Sequence, residues 1–529
     1  MENNTPHRRM RFTRESIAAI ALLGLCVFYH LLALRSSGAL WRDEVSAVNL
    51  AQLPDLPAMY HSLPYDSLPL GYVLLVRGWI AIFGGTDYSL RVFGMLGGLA
   101  LLAAGLAAAR ALGARKPLVF LAIFAIHPAV IYWGDSVRAY GIGTAALLVA
   151  MIAIWRLLQR PGIATWIFAA LATTVSVQLL YHNTAFIAGM CAAGAIVAIR
   201  RRNWRAALLV LASGAVAAAS LAIYIPVFKS FGDSVTRIAA LPITIGVIFD
   251  YLRLALAAQG VWVYWFWIAL AVIAMGLLVL RRSGTVAFIT IATILSGAFF
   301  AVLLLRVKLE PKIAYYIPLL AMIALFIDSA LNFKRPALQK IALVILLLFV
   351  LATIPANWRA LRVRHTSMDI ACRVLNESAA PGDLIVIQPW HFAVGFSRYY
   401  TGPATWTTAP PISDRLHYRY DELLQQMQLP DPIAPVLAKI DATLAAGHAV
   451  WVLGEVMFLP PDQLPPKLHP APDPVWGWRH AAYVDSYNLQ VTHFLQQHAG
   501  QIQSIVLDTK PPIDDVEQVQ LLNSSGNRH

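Results

Sequence analysis

The chain has 529 residues, of which 58% are hydrophobic and 13% charged, and its mean hydropathy is +0.62. These values exclude an ordinary soluble globular protein and indicate a membrane protein. The net charge of +13 does not indicate a nucleic-acid partner, because the basic residues form short clusters between apolar runs instead of one basic surface.

The apolar runs predict a polytopic α-helical membrane protein, since a spanning helix needs roughly 20 apolar residues. The first run follows a basic N-terminal stretch and has no convincing cleavage site after it, so we expect an uncleaved first helix. About eleven segments fit the length of a span: residues 16–34, 91–110, 117–133, 139–157, 163–181, 185–199, 206–227, 261–280, 284–305, 313–331 and 338–356.

Two further apolar segments are predicted to lie at the membrane interface. Pro69 to Phe83 is short for a span and carries Arg77 in its middle. Pro69 suits the first turn of a helix, and Gly84-Gly85 suits its end. Residues 243–258 have the same character and predict a second interfacial helix.

The basic residues fall at every second connection, and this alternation predicts the topology. The basic connections, expected to be cytoplasmic, carry Arg8, Arg9, Arg11, Arg14, Arg110, Arg115, Lys116, Arg156, Arg160, Arg200, Arg201, Arg202, Arg205, Arg281, Arg282, Lys334 and Arg335. The other connections carry nearly all the loop carboxylates: Asp43, Glu44, Asp55, Asp66, Asp87, Asp135, Asp233, Asp250 and Glu310. We therefore expect a multi-pass protein of the cell (inner) membrane with a cytoplasmic N-terminus.

Composition becomes mixed after residue 356, so we predict a membrane domain over 1–356 and an extracytoplasmic (periplasmic) soluble α/β domain over 357–529. Leu384–Ile387, Ala449–Leu453 and Ser504–Leu507 are expected to be buried strands. Helical patterns alternate with them at Met368 to Asn376, Pro435 to Ala446 and Leu489 to Ala499. Cys26, Cys191 and Cys372 lie in different regions, and no intrachain disulfide is expected.

The stretch LWRDEVSAVNL, residues 40–50, places two carboxylates just after the first apolar run. Neighbouring helical residues point about 100° apart, so Asp43 and Glu44 are not the flanking acid and base of a glycosidase. A single outward carboxylate suits a general base that deprotonates a hydroxyl nucleophile. The alternative is that the carboxylates only complement the helix dipole.

Three further stretches accompany this pair: YDSLPLGY at 65–72, GGTDYSLRVF at 84–93 and HPAVIYWGDSVRAY at 127–140. In this order they resemble the GT-C membrane glycosyltransferases, particularly the family 39 branch that includes protein O-mannosyltransferases and lipid A aminoarabinose transferases. The resemblance covers residues 15–205 and returns at KLEPKIAYYIPLLAMIAL, Lys308 to Leu325. It departs from the aminoarabinose transferases at Ser67, where those enzymes carry a lysine, which favours the broader bacterial family 39-like group.

The resemblance implies an inverting transferase that takes a sugar from polyprenyl phosphate, with Asp43 as the catalytic aspartate and Glu44 as its partner. A departing phosphate needs positive charge more than a proton. The outward cations that could supply it are Arg91, Arg138, Arg306, Lys308 and Lys312. Arg138 lies close to Asp135 and Tyr140, where the family has an arginine followed closely by a tyrosine. Interfacial anchoring and headgroup contact are the alternatives for these cations.

The remaining candidates have ordinary alternatives. Asp66 and Tyr72 could border the donor or serve in helix capping and interfacial anchoring. His182 could touch a sugar or be a solvated turn residue. Trp390-His391 and the segment 397–400 could meet the acceptor or be plain surface loops.

No metal-ligand spacing is evident, so we expect a reaction without metal or cofactor. The expected partners are a polyprenyl-phosphate sugar donor, a lipid, polysaccharide or protein acceptor, and membrane lipids, with no nucleic acid. Competing hypotheses are a transporter or lipid flippase, for which charges and broken helices near the bilayer midplane would be expected, and a noncatalytic membrane scaffold.

Overall fold

The computed structural model describes residues 13–114, 116–239, 241–280, 284–308, 310–331, 336–460, 462–510 and 512–527. Several basic residues used for the topology prediction lie outside these ranges: Arg8, Arg9, Arg11, Arg115, Arg281, Arg282, Lys334 and Arg335.

Long apolar helices dominate the first two thirds of the chain. Within the described ranges, eight are long and apolar enough to cross a membrane. They are Arg14–Ser36, Asp87–Ala111, Tyr140–Gln159, Asn183–Arg200, Trp204–Ala239, Gly284–Val307, Ile313–Ala330 and Ala337–Ala360. The number rises to nine if the bent pair Ile245–Leu256 and Val261–Leu277 forms one span. A polytopic α-helical membrane protein is therefore confirmed.

Hydropathy predicts about eleven spans, and three of these segments differ in the structure. The segment 117–133 is broken by a π-helical turn at Leu121–Ala125 and by a new helix starting at Pro128. The segment 163–181 forms a shorter helix of 17 residues, Ile163–Leu179. The segment 261–280 follows Ile245–Leu256 with a bend of 102°. Hydropathy detects neither a break nor a bend in an apolar segment, so it predicts more straight spans than the described ranges contain.

Shorter helices near the first long helix build the site described below. They are Arg42–Gln52, Leu56–Ser62 and Leu70–Phe83. The last follows Pro69 and ends at Gly84, whose φ of +81° suits glycine, so its predicted bounds are confirmed.

Small residues let the helices approach closely. Gly94 and Gly98 of Asp87–Ala111 face Asp135, and a methyl group on either glycine would collide with it. At Gly98 the collision would include the ring of His30, whose Nδ1 lies 2.7 Å from Asp135 Oδ1. Small residues at helix contacts are typical of membrane bundles, where packing drives association.

The predicted C-terminal α/β part is confirmed as a five-stranded sheet with flanking helices. Its strands are β1 (Leu384–Gln388), β2 (Thr405–Thr408), β3 (Val450–Gly454), β4 (Ala499–Ile505) and β5 (Gln520–Asn527). Their order is β2-β1-β3-β5-β4, with β1 parallel to both neighbours and β5 antiparallel to both of its own. The helices are Met368–Ser378, Ala393–Tyr399, Tyr420–Met427, Ala434–Ala445 and His480–His498.

The first two predicted strands are confirmed as β1 and β3, with all residues of both buried. The prediction of a buried strand at Ser504–Leu507 is wrong, because β4 ends at Ile505 and Val506 is 92% exposed. The predicted domain boundary at residues 356/357 falls inside the helix Pro336–Ala360, and the division into two domains stays a prediction.

The C-terminal part packs against the first acidic loop, which joins the helices Arg14–Ser36 and Arg42–Gln52. The Leu40 amide donates a hydrogen bond to the Tyr399 hydroxyl at 2.8 Å, and that hydroxyl donates to Asp87 at 2.8 Å. Arg42 lies 2.6 Å from Glu517. The sheet is thus joined directly to the region that contains Asp43.

Candidate active site

Asp43 lies in the first turn of the helix Arg42–Gln52, next to the C-terminal part. Its Oδ1 accepts a 2.7 Å hydrogen bond from the Tyr418 hydroxyl, and its Oδ2 lies 3.7 Å from Lys312 Nζ. Its side chain is 16% exposed. Burial by itself raises the pKa of Asp43, but the positive charges of Lys312, Arg138 and Arg42 outweigh burial and hold that pKa well below its usual range. Asp43 is therefore an ionised carboxylate at neutral pH.

Arg138 is held beside Asp43 by a second carboxylate. Its guanidinium donates to both oxygens of Asp66 at 2.8 Å, and Ser46 donates to the same carboxylate at 2.8 Å. Arg138 also donates to the main-chain oxygen of Asp43 at 3.0 Å. Such a two-pronged contact fixes the plane of the guanidinium, so Arg138 presents a preset positive charge.

A polar cavity of about 560 Å³ opens in front of Asp43. Its walls come from both parts of the chain. The membrane part contributes Arg42, Asp43, Tyr65, Asp66, Ser67, Arg138, Tyr140, Phe231, Val235, Ile238, Ala239, Leu241, Glu310, Lys312 and Tyr315, and the C-terminal part contributes His391, Tyr418, Tyr420, Arg479, His480 and Ala481.

A second, mainly apolar cavity of about 510 Å³ adjoins the first. Apolar side chains of the segment 221–231 and of the helix Gly284–Val307 make up much of its wall, and His182 and Arg306 lie among them. The two cavities share Asp66, Ser67, Arg138, Tyr140, Phe231 and Tyr315. A molecule with a charged end and a hydrocarbon end could place its charged end in the polar cavity and its hydrocarbon end in the apolar cavity.

The structure thus brings seven predicted site residues to one of the two cavities: Asp43, Asp66, Arg138, Tyr140, His182, Arg306 and Lys312. Five others line neither cavity: Glu44, Tyr72, Arg91, Asp135 and Lys308. Asp135 pairs with His30, Tyr72 is 1% exposed, and Lys308 is exposed at a turn where its φ is +57°.

Glu44 and Arg91 form a buried ion pair. Arg91 Nη1 lies 2.7 Å from Glu44 Oε1, which also accepts a hydrogen bond from the Val137 amide at 2.8 Å. The other oxygen of Glu44 accepts from the Trp41 amide at 3.2 Å, which caps the helix. Glu44 is 0% exposed. Burial alone raises the pKa of Glu44, but the charge of Arg91 outweighs burial and lowers that pKa to about 2.

The C-terminal wall contains residues that sequence reasoning missed. Tyr418 and Tyr420 lie in a loop-to-helix junction with no recognisable motif, and Tyr418 is 375 residues from Asp43. His391, a predicted acceptor contact, lines the polar cavity, and burial lowers its pKa well below the usual range. The segment 397–400 lines neither cavity: Arg398 and Tyr399 contact Asp87, and the Tyr400 hydroxyl bonds Ala404.

Within the described ranges, no three His, Cys, Asp or Glu side chains gather in a way that could hold a metal ion. The same ranges contain Cys26, Cys191 and Cys372 as buried free thiols, so no disulfide joins them. A reaction without metal stays a prediction.

No protein-family model and no curated protein matches the chain. Solved structures do match it. ArnT from Cupriavidus metallidurans in the apo state is 11% identical, with a TM-score of 0.55 over 83% of this chain and 93% of that chain. The same protein bound to undecaprenyl phosphate is 12% identical, with a TM-score of 0.52 over 82% and 92%. The chain therefore shares the fold of ArnT, in agreement with the GT-C fold that the resemblance of its sequence motifs implies.

Proposed function

We propose that this protein is an inverting glycosyltransferase that moves a sugar from a polyprenyl-phosphate donor to an acceptor hydroxyl. The observation that carries the proposal is the polar cavity around Asp43 and its shared wall with an apolar cavity. The apolar cavity suits the first part of a polyprenyl tail, and Arg138 in the shared wall suits the phosphate. The undecaprenyl phosphate bound to ArnT supports this class of donor.

In the proposed reaction, Asp43 is the general base. The acceptor oxygen attacks the anomeric carbon, the bond from that carbon to the phosphate oxygen breaks, and the acceptor proton passes to Asp43. A single displacement of this kind inverts the anomeric centre. The departing phosphate keeps its electron pair and needs no proton from the protein.

The cations around Asp43 have two effects in this proposal. Arg138 and Lys312 stabilise the negative charge that develops on the phosphate oxygen. The same cations hold the pKa of Asp43 low. A bound phosphate would offset their charge, and the pKa of Asp43 would then rise toward a value better suited to accepting a proton.

We propose that Glu44 holds the helix of Asp43 in place and takes no direct part in the transfer reaction. It lines neither cavity, and its two oxygens are occupied by Arg91, the Val137 amide and the Trp41 amide. These contacts fix the first turn of the helix that carries Asp43. Glu44 would thus orient its neighbour without contacting a substrate.

The topology prediction places the site on the extracytoplasmic face, with the N-terminus cytoplasmic. The acceptor remains open among lipid, polysaccharide and protein, since a fold does not set specificity. A transporter or flippase and a noncatalytic scaffold remain as competing hypotheses, and the experiment below separates them from a transferase.

The test measures polyprenyl phosphate released by purified protein from a panel of polyprenyl-phosphate sugars, with membrane extract as acceptor. Wild type is compared with Asp43→Asn and with Asp441→Asn, which changes an exposed carboxylate in the helix Ala434–Ala445. Loss of the base is expected to slow turnover roughly 10²- to 10⁴-fold. Asp441→Asn is expected to match wild type.

Two results would contradict the proposal. Equal turnover by wild type and a well-folded Asp43→Asn would remove Asp43 as the base. No release by wild type from any donor, with an active control enzyme in the same assay, would favour transport or a scaffold.

A further inference from the structure

The C-terminal part contacts the helix Arg42–Gln52, which carries Asp43, both near its start and near its end. Near the start of this helix, Arg42 pairs with Glu517, and farther along it, the Asn49 amide donates to the main-chain oxygen of Leu416 at 2.8 Å. Leu416 and Tyr418 lie in the same loop. The loop is thus bound to the helix beside the hydrogen bond between Tyr418 and Asp43.

Ion pairs of Arg419 with this loop and with the following helix Tyr420–Met427 hold the neighbouring Tyr418 in place. Arg419 lies 2.8 Å from Asp421, 2.7 Å from Glu422 and 3.6 Å from Asp414. Its guanidinium also lies 4.8 Å from the ring centre of Tyr65, which belongs to the membrane part. Arg419, the neighbour of Tyr418, therefore contacts both the C-terminal part and the membrane part.

The Tyr418 hydroxyl acts as a hydrogen-bond donor to Asp43. Burial, and then the negative charge of Asp43, raise the pKa of Tyr418 well above its ordinary value, so the hydroxyl stays protonated. It occupies Oδ1 of Asp43 at 2.7 Å, whereas Oδ2 makes a longer 3.7 Å contact with Lys312. The Lys312 side chain is 50% exposed.

We infer that Tyr418 is a positioning residue that holds the Asp43 carboxylate with Oδ2 turned toward Lys312, so that the C-terminal part completes the candidate active site. The inference rests on the proposed function and deepens it. Holding one carboxylate oxygen leaves the other to meet the acceptor hydroxyl, and small losses of such alignment are costly for turnover.

The test compares Tyr418→Phe with Tyr400→Phe in the transfer assay. The first change deletes the contact with Asp43. The matched change deletes a tyrosine hydroxyl that bonds Ala404 at 2.9 Å, in the same part of the chain but away from both cavities. We expect kcat of Tyr418→Phe to fall at least about tenfold, with the donor KM within about threefold of wild type. Tyr400→Phe is expected to keep the wild-type kcat.

A pH profile separates positioning from general damage. Asp43 must be ionised to act, and the Tyr418 hydrogen bond is one of the contacts that lower its pKa. Deleting that bond raises the pKa of Asp43, so the acid limb of kcat moves to higher pH, since kcat reports the donor-bound protein in which the phosphate offsets the nearby cations. The other charged and titratable groups near Asp43 are unchanged in the variant: Arg42, Arg138, Tyr140, Lys312, Tyr315, His391, Tyr420 and Glu517.

A double-mutant cycle tests the contact without activity. The thermal unfolding midpoints of Tyr418→Phe, Asp43→Ala and the double variant are compared with wild type. A double variant shifted by less than the sum of the single shifts supports coupling, and additive shifts overturn it.

The outcomes distinguish this inference from the proposed function. If Asp43→Asn turns over like wild type, the proposed function fails. If Asp43→Asn is inactive but Tyr418→Phe keeps its kcat within twofold, or loses no more than Tyr400→Phe, the inference on Tyr418 alone is overturned.

Discussion

Asp43 and Glu44 are neighbours in the chain, yet their side chains have different surroundings. Asp43 lines the polar cavity, whereas Glu44 is 0% exposed and paired with Arg91. A buried pair of charges is costly to break, because the remaining charge is left in a medium that solvates it poorly. Glu44 therefore offers a way to separate a role in folding from a role in chemistry.

We predict that Glu44→Gln lowers the free energy of unfolding by about 3–5 kcal/mol, because Arg91 keeps its hydrogen bonds to the main-chain oxygens of Gly38 and Ala39 but loses its negatively charged partner. Thermal unfolding of the purified protein measures this. The matched control is Glu15→Gln, whose pair with Lys116 is about one third exposed and is expected to contribute roughly 0–1 kcal/mol. A Glu44→Gln protein as stable as wild type but without turnover would instead support direct catalysis by Glu44.

The same residue gives a pH dependence. The pKa of Glu44 is lowered in the folded protein from its ordinary 4.5 to about 2, so its ionisation stabilises the fold above about pH 4.5. That contribution is lost as the pH falls from about 4.5 toward 2. Between about pH 5 and pH 3, wild type should therefore lose more stability than Glu44→Gln. Equal losses would contradict the assignment.

At the scale of elements, the close approach of Asp87–Ala111 to the segment containing Asp135 depends on two glycines. We predict that Gly98→Ala destabilises the protein by about 1–3 kcal/mol, since the added methyl group meets the Asp135 carboxylate and the His30 ring. Gly24→Ala is the matched control, because nothing lies within 4 Å of that position in the helix Arg14–Ser36. Thermal unfolding of both variants decides the matter, and equal midpoints would refute the packing argument.

The sequence was sufficient for elements whose signals are local. Pro69 and Gly84 marked the ends of the helix Leu70–Phe83, and the buried runs marked β1 and β3. It was insufficient where the outcome depends on distant partners. β2, with the sequence TWTT, has strand-forming residues but is four residues long, whereas β5 has the polar sequence QLLNSSGN and is a strand because of its neighbours in the sheet.

The same limit applies to the candidate site. Asp43, Arg138 and Lys312 were accessible because each lies in a stretch that resembles a family motif. Tyr418 was not accessible, because its part in the cavity follows from the docking of the C-terminal part on the helix of Asp43. Likewise, the pairing of Glu44 with Arg91 depends on how two helices pack, which adjacency in sequence does not reveal.

For the whole molecule, the predicted topology places the C-terminal part and the connection at Arg160 on opposite sides of the membrane. We predict that Asp508→Cys reacts with a membrane-impermeant maleimide in intact spheroplasts and that Arg160→Cys reacts only after permeabilisation. Both positions are exposed, and Cys26, Cys191 and Cys372 are buried, so background labelling should be low. The opposite pattern would invert the proposed orientation.

The position of β5 in the sheet has a consequence for how the protein is made. β5 lies between β3 and β4, and the preceding Glu517 pairs with Arg42, yet residues 517–527 are synthesised after almost everything they contact. These residues therefore emerge from the ribosome long after the helix of Asp43 has been synthesised. Until these residues have emerged, neither the sheet nor the ion pair with Arg42 is complete, so any shorter nascent chain should lack the finished C-terminal contact with the candidate active site.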